Sequence, residues 1–174
     1  PRRESGDYSR ASVSVRADSE SLYGVGDSAV AAAWAVLLAW YSGSDTITIG
    51  VSGDGTGAVS VDVSDEPTFG RLTHRLEMEL ESKGRDPGPD LPLRYGPVTW
   101  KTGVELWLQR DRSASDEALE LSYARELFDE STAAAIAADV QRLLAVLVGD
   151  PDRSVNEIAF EVMSHGDQER ETMP

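Results

Sequence analysis

The sequence predicts an α+β domain in which about five or six mostly antiparallel strands form a sheet, with about three helices packed on one side. Three observations support this prediction. Runs such as "VSVDVS" alternate apolar and polar residues, which is typical of strands with one buried face. Segments with helical apolar spacing, such as "FGRLTHRLEMEL", lie between these runs. The length of 174 residues fits one domain with a core of its own.

The first half of the chain predicts a strand, a buried helix and a hairpin. "ASVSVRA" (11–17) alternates as a half-buried or edge strand would. The helix at about 28–41 is apolar nearly all round, which places it at the centre of the domain or against a second apolar surface. "TITIGVS" (46–52) and "AVSVDVS" (58–64) flank the Gly/Asp-rich "GDGTG" (53–57), an arrangement typical of a β-hairpin.

The second half predicts a helix, a crossing segment and two further strands. Thr68 is a candidate N-cap for the helix that "PTFGRLTHRLEMELESKG" encodes. The proline-rich segment 85–97 predicts a loop or an extended crossing. The segments 98–109 and 117–123 have the alternation of strands.

A closing unit follows the last of these strands. Asp129 can cap a long apolar helix, Phe128 precedes it as a staple residue, and Gly149-Asp150-Pro151 ends it. "VNEIAFEV" (155–162) predicts a last short strand or a covering segment, and the polar residues 163–174 predict a linker.

The composition narrows the possible partners and the compartment. The chain has 16 Lys and Arg against 31 Asp and Glu, a formal net charge of −15, which disfavours binding to nucleic acid or to anionic membrane surfaces. Without cysteine there are no disulfides, no thiolate nucleophile and no Cys-based zinc site. The most apolar run, Ala29–Tyr41, is shorter than the ~20 residues that span a bilayer. With no signal-peptide pattern, the sequence predicts a cytoplasmic protein.

No motif predicts a reaction. "GVSGDGTG" (50–57) lacks the Lys-Ser/Thr pair of a P-loop and precedes a strand, so a hairpin turn is the better interpretation. His74 has no orienting partner and nucleophile in the local sequence, and the consecutive residues of "SHGD" (164–167) cannot give His165 the geometry of a Ser/His/Asp triad. Acidic runs such as "DEALE" (116–120) lack the ligand spacing of a dedicated Ca²⁺ or Mg²⁺ site. The sequence therefore predicts no catalytic residue, no cofactor and no metal site.

Aromatic residues are the better candidates for function. Trp107 alternates with Leu106 and Leu108, which predicts that it lies on the opposite face of the sheet. It either marks a partner surface or is covered by the first helix, and the sequence leaves both open. Trp100, Trp40 and Tyr41 complete the set of candidate interface residues.

The closing unit resembles the end of a condensation domain of nonribosomal peptide synthetases. Those domains close with a strand ending in Tyr, an "LFD" corner, a helix with paired leucines, a "DP" and a short apolar strand. The matching residues here are Tyr123, Leu127-Phe128-Asp129, Leu143-Leu144, Asp150-Pro151 and Val155 to Phe160.

Two upstream segments extend the resemblance over most of residues 28–162. "AAAWAVLLAWYSGSDTITIG" (31–50) is similar to the family run "A-x-x-x-L-L-x-R-Y-x-G-x-D-x-I-x-x-G", with Trp40 where a basic residue is common. The other positions in register are Tyr41, Gly43, Asp45, Ile47 and Gly50. "EPTFGRLTHRL" (66–76) is similar to the family's "PTF" helix start.

The resemblance implies one chloramphenicol-acetyltransferase-like lobe, the C-terminal one, in truncated form. The catalytic "HHxxxDG" of the family belongs to the first lobe and does not occur in this sequence. The segments that reach across to the other lobe are shortened to "VSGDGTGAVSVDVSDE" and "SKGRDPGPDLPLRYGP". The expected organisation is a lead-in at 1–10, the lobe at 11–162 and a linker at 163–174, directed toward an adenylation domain.

Three functions are compatible with this resemblance. The chain could be a non-catalytic platform that packs against the adenylation domain of the same synthetase. It could instead be a recruitment module for a carrier protein or a tailoring enzyme; its acidity favours a basic partner over an acidic carrier protein. The third alternative is half of a split acyltransferase that another chain completes.

Overall fold

A computed structural model of the chain describes residues 10–15, 25–51, 57–82, 93–95, 106–111 and 118–171. These residues form six strands and four helices. In chain order the elements are β1 Arg10–Val15, α1 Asp27–Ser42, β2 Thr46–Val51, β3 Gly57–Asp62, α2 Phe69–Ser82, β4 Leu93–Tyr95, β5 Leu106–Asp111, β6 Ala118–Ala124, α3 Glu130–Gly149 and α4 Val155–Glu171.

The six strands form one sheet in the order β1-β6-β5-β4-β2-β3, and every neighbouring pair is antiparallel. β1 is an edge strand that pairs with β6, from Arg10 opposite Ala124 to Val15 opposite Leu119. β2 and β3 form the predicted hairpin, although most of its turn lies outside the described residues. The α+β class and the antiparallel sheet predicted from the sequence are confirmed.

One face of the sheet carries the core. Ile49, Leu108 and Leu121 are buried, whereas Ser60 and Gln109, on alternate positions of their strands, are exposed. α1, α2 and α3 contact the strands on the buried side, and α4 packs on α1 and α3. The two-layer arrangement leaves the second face of the sheet without a helix from the described residues.

α1 is the central helix of the domain. It is buried continuously from Asp27 to Ala39 because β2 and the other three helices all pack against it. This environment explains why its sequence is apolar nearly all round. The helix ends at Gly43, whose φ of 64° is in the left-handed region that glycine adopts without strain.

The predicted helix caps at Thr68 and Asp129 are confirmed. The hydroxyl of Thr68 accepts a hydrogen bond from the N–H of Arg71 at 3.4 Å. The carboxylate of Asp129 accepts from the hydroxyl of Ser131 and from the N–H of Thr132, both at 2.7 Å. These donors, Ser131 first, hold the pKa of Asp129 below its usual value, because they stabilise the ionised carboxylate.

Two elements differ from the prediction. Of the two alternatives for 155–162, the strand is wrong, because these residues begin the fourth helix, α4, which continues to Glu171 and covers α1 and α3. Its buried apolar residues have helical spacing: they are Val155, Ile158, Ala159, Val162 and Met163. Residues 163–171 of the predicted linker are therefore helical as well. The second difference is β4, a three-residue strand inside the segment predicted as a loop or crossing.

α3 is long and apolar enough to cross a membrane by length and composition alone. Its contacts with β1, β6, α1 and α4 give its apolar face another explanation. Ile136, Val140, Leu143 and Leu147 are buried in the core of the domain. Packing therefore accounts for the composition of this helix.

Candidate protein-interaction surface

The C-terminal end of α1 extends out of the core, so its last side chains are exposed. Trp40 is 42% exposed and Tyr41 is 48% exposed, although the preceding residues back to Asp27 are buried. The residues from Ser42 to Thr46 are exposed as well. Two large aromatic side chains therefore lie at the surface, where apolar area is costly to expose unless a partner covers it.

Phe160 of α4 extends this surface. It is 64% exposed, and its ring contacts that of Trp40 edge to face, with centroids 6.1 Å apart and an interplanar angle of 68°. We refer to Trp40, Tyr41 and Phe160 together as the aromatic surface. Sequence reasoning missed Phe160 because it treated this segment as a short strand or a cover and did not assign it a helical face. A helical interpretation would have placed it off the apolar stripe and in solvent.

The hydroxyl of Tyr41 has a structural role. It donates a hydrogen bond to Asp139 Oδ2, while Arg142 Nη2 pairs with Asp139 Oδ1. The carboxylate of Asp139 is on α3 and is one of the few buried charged groups, with the residue 1% exposed. A buried carboxylate requires such partners. This cluster joins α1 to α3 and holds the base of the aromatic surface in place.

A cavity of about 320 Å³ lies beside Trp40, where α1 ends. Its lining residues are Val36, Ala39, Trp40, Gly43, Ser44, Asp45, Val63, Asn156 and Ala159. The hydroxyl of Ser44 donates to the carbonyl of Thr46 at 2.9 Å, and Nδ2 of Asn156 donates to the carbonyl of Val63 at 3.5 Å. The side-chain oxygens of Asp45 and Asn156 are thus left as acceptors at this cavity.

Trp107 does not belong to the aromatic surface. Its neighbours Leu106 and Leu108 are buried among the helices, so Trp107 lies on the opposite face of the sheet, where it pairs with Ser122 of β6. It is half-buried there, and α1 is on the other side. Trp100, the remaining candidate, lies outside the described residues.

The two histidines of the chain lie on different helices, α2 and α4. His74 is exposed on α2, and its Nδ1 lies 3.9 Å from Glu77 Oε2. Both line a second depression, of about 350 Å³, between the start of α1 and α2. His165 is in α4, and its side chain is outside the description. Within the described part of the chain, no three His, Asp or Glu residues lie together as metal ligands would.

The chain has the fold of a condensation-like domain and corresponds to about half the length of such a domain. The X-domain from teicoplanin biosynthesis is similar over 85% of this chain and 49% of its own, with 18% identity and a TM-score of 0.61. The complex of the X-domain and OxyB gives 20% identity over 87% of this chain and 48% of that one, with a TM-score of 0.56.

The starter condensation domain of rhizomide synthetase RzmA is similar over 90% of this chain and 48% of its own, with 13% identity and a TM-score of 0.58. No protein-family model and no curated protein matches the sequence. The resemblance to condensation domains predicted from the sequence is thereby confirmed at the level of the fold. The chain spans about half the length of these structures, as one of two lobes would.

Proposed function

We propose that this chain is a non-catalytic, truncated condensation-like domain that serves a nonribosomal peptide synthetase as a protein-interaction platform. The observation that carries the proposal is the exposed Trp40–Phe160 pair on a condensation-like fold. Large aromatic residues are enriched in protein interfaces, where burial of their rings supplies much of the binding energy. The 174 residues contain no "HHxxxDG" motif, which supports a role without catalysis.

The first candidate partner is a tailoring enzyme that docks in trans. A specific observation favours it, since an X-domain with 20% identity to this chain has been solved in complex with OxyB. The net charge of −15 supports a partner with a basic docking face, because opposite charges accelerate association and orient the partners.

The second candidate partner is the adenylation domain of the same synthetase, bound in cis. The segments that resemble a condensation domain are those of its C-terminal lobe, which in that family packs against the adenylation domain. α4 supports this arrangement, because residues 163–171 of the predicted linker are helical and continue α4 to Glu171.

A binding measurement with each candidate partner tests the proposal. A tailoring enzyme and an adenylation domain of the proposed synthetase are each mixed with the chain, and binding is measured by calorimetry. We expect one of them to bind, with affinity lost in Trp40→Ala and retained in Met78→Ala, which alters an exposed apolar residue on α2. Trp107→Ala tests the opposite sheet face in the same assay, and deletion of 165–174, which spares the buried Met163, tests the rest of the predicted linker.

An acyl-transfer assay tests the absence of catalysis. The purified chain is given donor and acceptor substrates, alone and together with a first lobe from a related synthetase. Product formation in either mixture would replace the platform by the split acyltransferase that the sequence left open. Absence of binding to both candidate partners would equally contradict the proposal.

A further inference from the structure

We infer that the cavity beside Trp40 binds a single arginine side chain from the partner protein. This inference rests on the proposed interaction function and adds the chemistry of the contact. With about 320 Å³, the cavity is at the lower end of the ~300–1,000 Å³ of ligand pockets, which fits one long side chain better than a cofactor.

The polar side chains at this cavity offer an occupant hydrogen-bond acceptors but few donors. In the part of the chain that the structure describes, the carboxylate of Asp45 has no partner and Asn156 uses only its Nδ2. The hydroxyl of Ser44 already donates to the carbonyl of Thr46. An occupant that supplies several donors is therefore complementary, and the guanidinium of arginine has five.

The end of α1 favours a positive charge at the same place. The last carbonyl groups of a helix carry a partial negative charge, and helices often place a basic residue there to offset it. α1 has no basic residue in its last turn and ends at Gly43, which lines the cavity. A cation from another protein can supply the missing charge.

The apolar walls suit the rest of an arginine side chain. Val36, Ala39, Val63 and Ala159 form an aliphatic lining that can cover its three methylene groups. The indole of Trp40 offers an aromatic surface against which a guanidinium stacks more favourably than an ammonium. The contact with Phe160 holds this indole beside the cavity.

Among the side chains that the structure describes, none forms a salt bridge with Asp45, and three arginines pair with other carboxylates. Arg75 pairs with Asp65 at 3.3 Å, Arg142 pairs with Asp139, and Arg153 pairs with Glu161 at 2.8 Å. The overall charge of −15 then attracts a basic segment toward the domain from a distance. The occupant is therefore expected from outside the chain.

A peptide titration followed by NMR tests the inference. The ¹⁵N-labelled chain is titrated with N-acetyl-Gly-Arg-Gly-amide and, separately, with the citrulline peptide, which has the same shape without the charge. We expect saturable shifts of the Trp40 indole N–H and of the amides of residues 43–45 with the arginine peptide only. The corresponding lysine peptide, titrated in the same way, should bind more weakly than the arginine peptide. Equal affinity for the lysine and arginine peptides would overturn the assignment to arginine.

Two variants and two controls locate the contact. Asp45→Asn and Trp40→Leu should each weaken the peptide by about twofold to fivefold, the range for exposed ion pairs and cation–π contacts. Asp152→Asn and Met78→Ala, both at exposed positions elsewhere, should leave the titration unchanged. Because all four side chains are exposed, an unchanged amide spectrum can verify that each variant folds. Shifts that do not saturate, or that survive both cavity variants, would overturn the inference.

The partner-binding assay separates this inference from the proposed function. The first outcome is that a partner binds, and that Asp45→Asn weakens this binding and reduces its dependence on salt concentration. The platform and the arginine site are then both supported. If a partner binds equally well to wild type, Asp45→Asn and Trp40→Leu, the platform stands and the arginine site is wrong. If the peptide binds but neither partner does, the arginine site stands and the proposed partners are wrong.

Discussion

Most of α1 is buried, whereas its last residues and the segment that follows them are exposed. Asp27–Ala39 is buried without interruption, whereas Trp40–Thr46 is exposed without interruption. Both parts carry tryptophan, and the same residue type therefore has two roles in one helix. Trp34 fills the core, while Trp40 contributes surface that folding alone does not require. Substitutions at the two positions should separate stability from binding.

Trp34→Ala should have the largest effect on stability. Trp34 is 0% exposed, so its removal loses apolar burial and leaves a cavity, at a cost of about 3–5 kcal/mol in the free energy of unfolding. Urea denaturation followed by circular dichroism measures this change. Trp34→Phe is the control and should cost less, because it also removes an Nε1 that has no hydrogen-bond partner among the described residues. Equal losses in both variants would contradict this account.

Asp139→Ala should have the next largest effect, since it breaks the cluster below the aromatic surface. The substitution removes the acceptor for both the Tyr41 hydroxyl and Arg142, at an expected cost of about 1–3 kcal/mol. The same denaturation measurement checks it. Tyr41→Phe retains the ring and removes only the hydroxyl, so its cost should be smaller. If Tyr41→Phe were as destabilising as Asp139→Ala, the carboxylate would not be the centre of this cluster.

The cap at Asp129 should have a smaller, pH-dependent effect. Its pKa in the folded chain is below the unfolded value of 3.8, so its ionised form stabilises the fold above that pH, and this contribution is lost as the pH falls through the folded pKa. Asp129→Ala should lower Tm by about 2–4 °C at pH 7, and the difference from wild type should shrink in acid. Thermal unfolding at pH 7 and below pH 3.8 measures both.

Asp129→Asn is the matched control for that experiment. Asparagine also caps helices, but it does not titrate. The variant should therefore keep most of the Tm at pH 7 and lack the acid-dependent part of the difference. A pH dependence unchanged in Asp129→Asn would assign it to other carboxylates, such as Asp62, whose pKa is also lowered by hydrogen bonds from Ser64.

Trp40→Leu should have the smallest effect on stability and the clearest effect on binding. The ring is 42% exposed, and its edge-to-face contact with Phe160 contributes at most about 0.5–1.5 kcal/mol. Denaturation should therefore show little change, while calorimetry with the partner shows a loss of affinity. A loss of stability as large as that of Trp34→Ala would assign Trp40 to the core instead.

The sequence predicted most of the sheet and three of the four helices, because their apolar residues follow clear periods. The end of α1 at Gly43 and the caps at Thr68 and Asp129 follow from local chemistry that the sequence displays directly, whereas α1 begins after Gly26 without a side-chain cap. "VNEIAFEV" was interpreted as a strand or covering segment although Val155, Ile158 and Val162 recur at helical spacing, because the polar residues after it were assigned to a linker and the apolar segment alone is short. β4 was not predicted because its pairing with β2 and β5 is a tertiary effect.

The candidate surface was predicted only in part. Trp40 and Tyr41 were identified as residues, but their exposure depends on where α1 leaves the other helices. The contact of Trp40 with Phe160 joins two elements distant in sequence, which no local pattern indicates. Asp139 is a similar case, because a lone acidic residue on an apolar helix does not reveal its partner on α1.

The pairing of the edge strand β1 with β6 sets a condition on folding during synthesis. Arg10 pairs with Ala124, which is synthesised much later. A ribosome that adds about 5–20 residues per second needs roughly 5–20 s to reach Ala124 after it has added Arg10. Until then the backbone of β1 has no strand to pair with and can pair with another chain instead. Substitutions in β1 are therefore expected to alter the yield of folded protein before they alter its Tm.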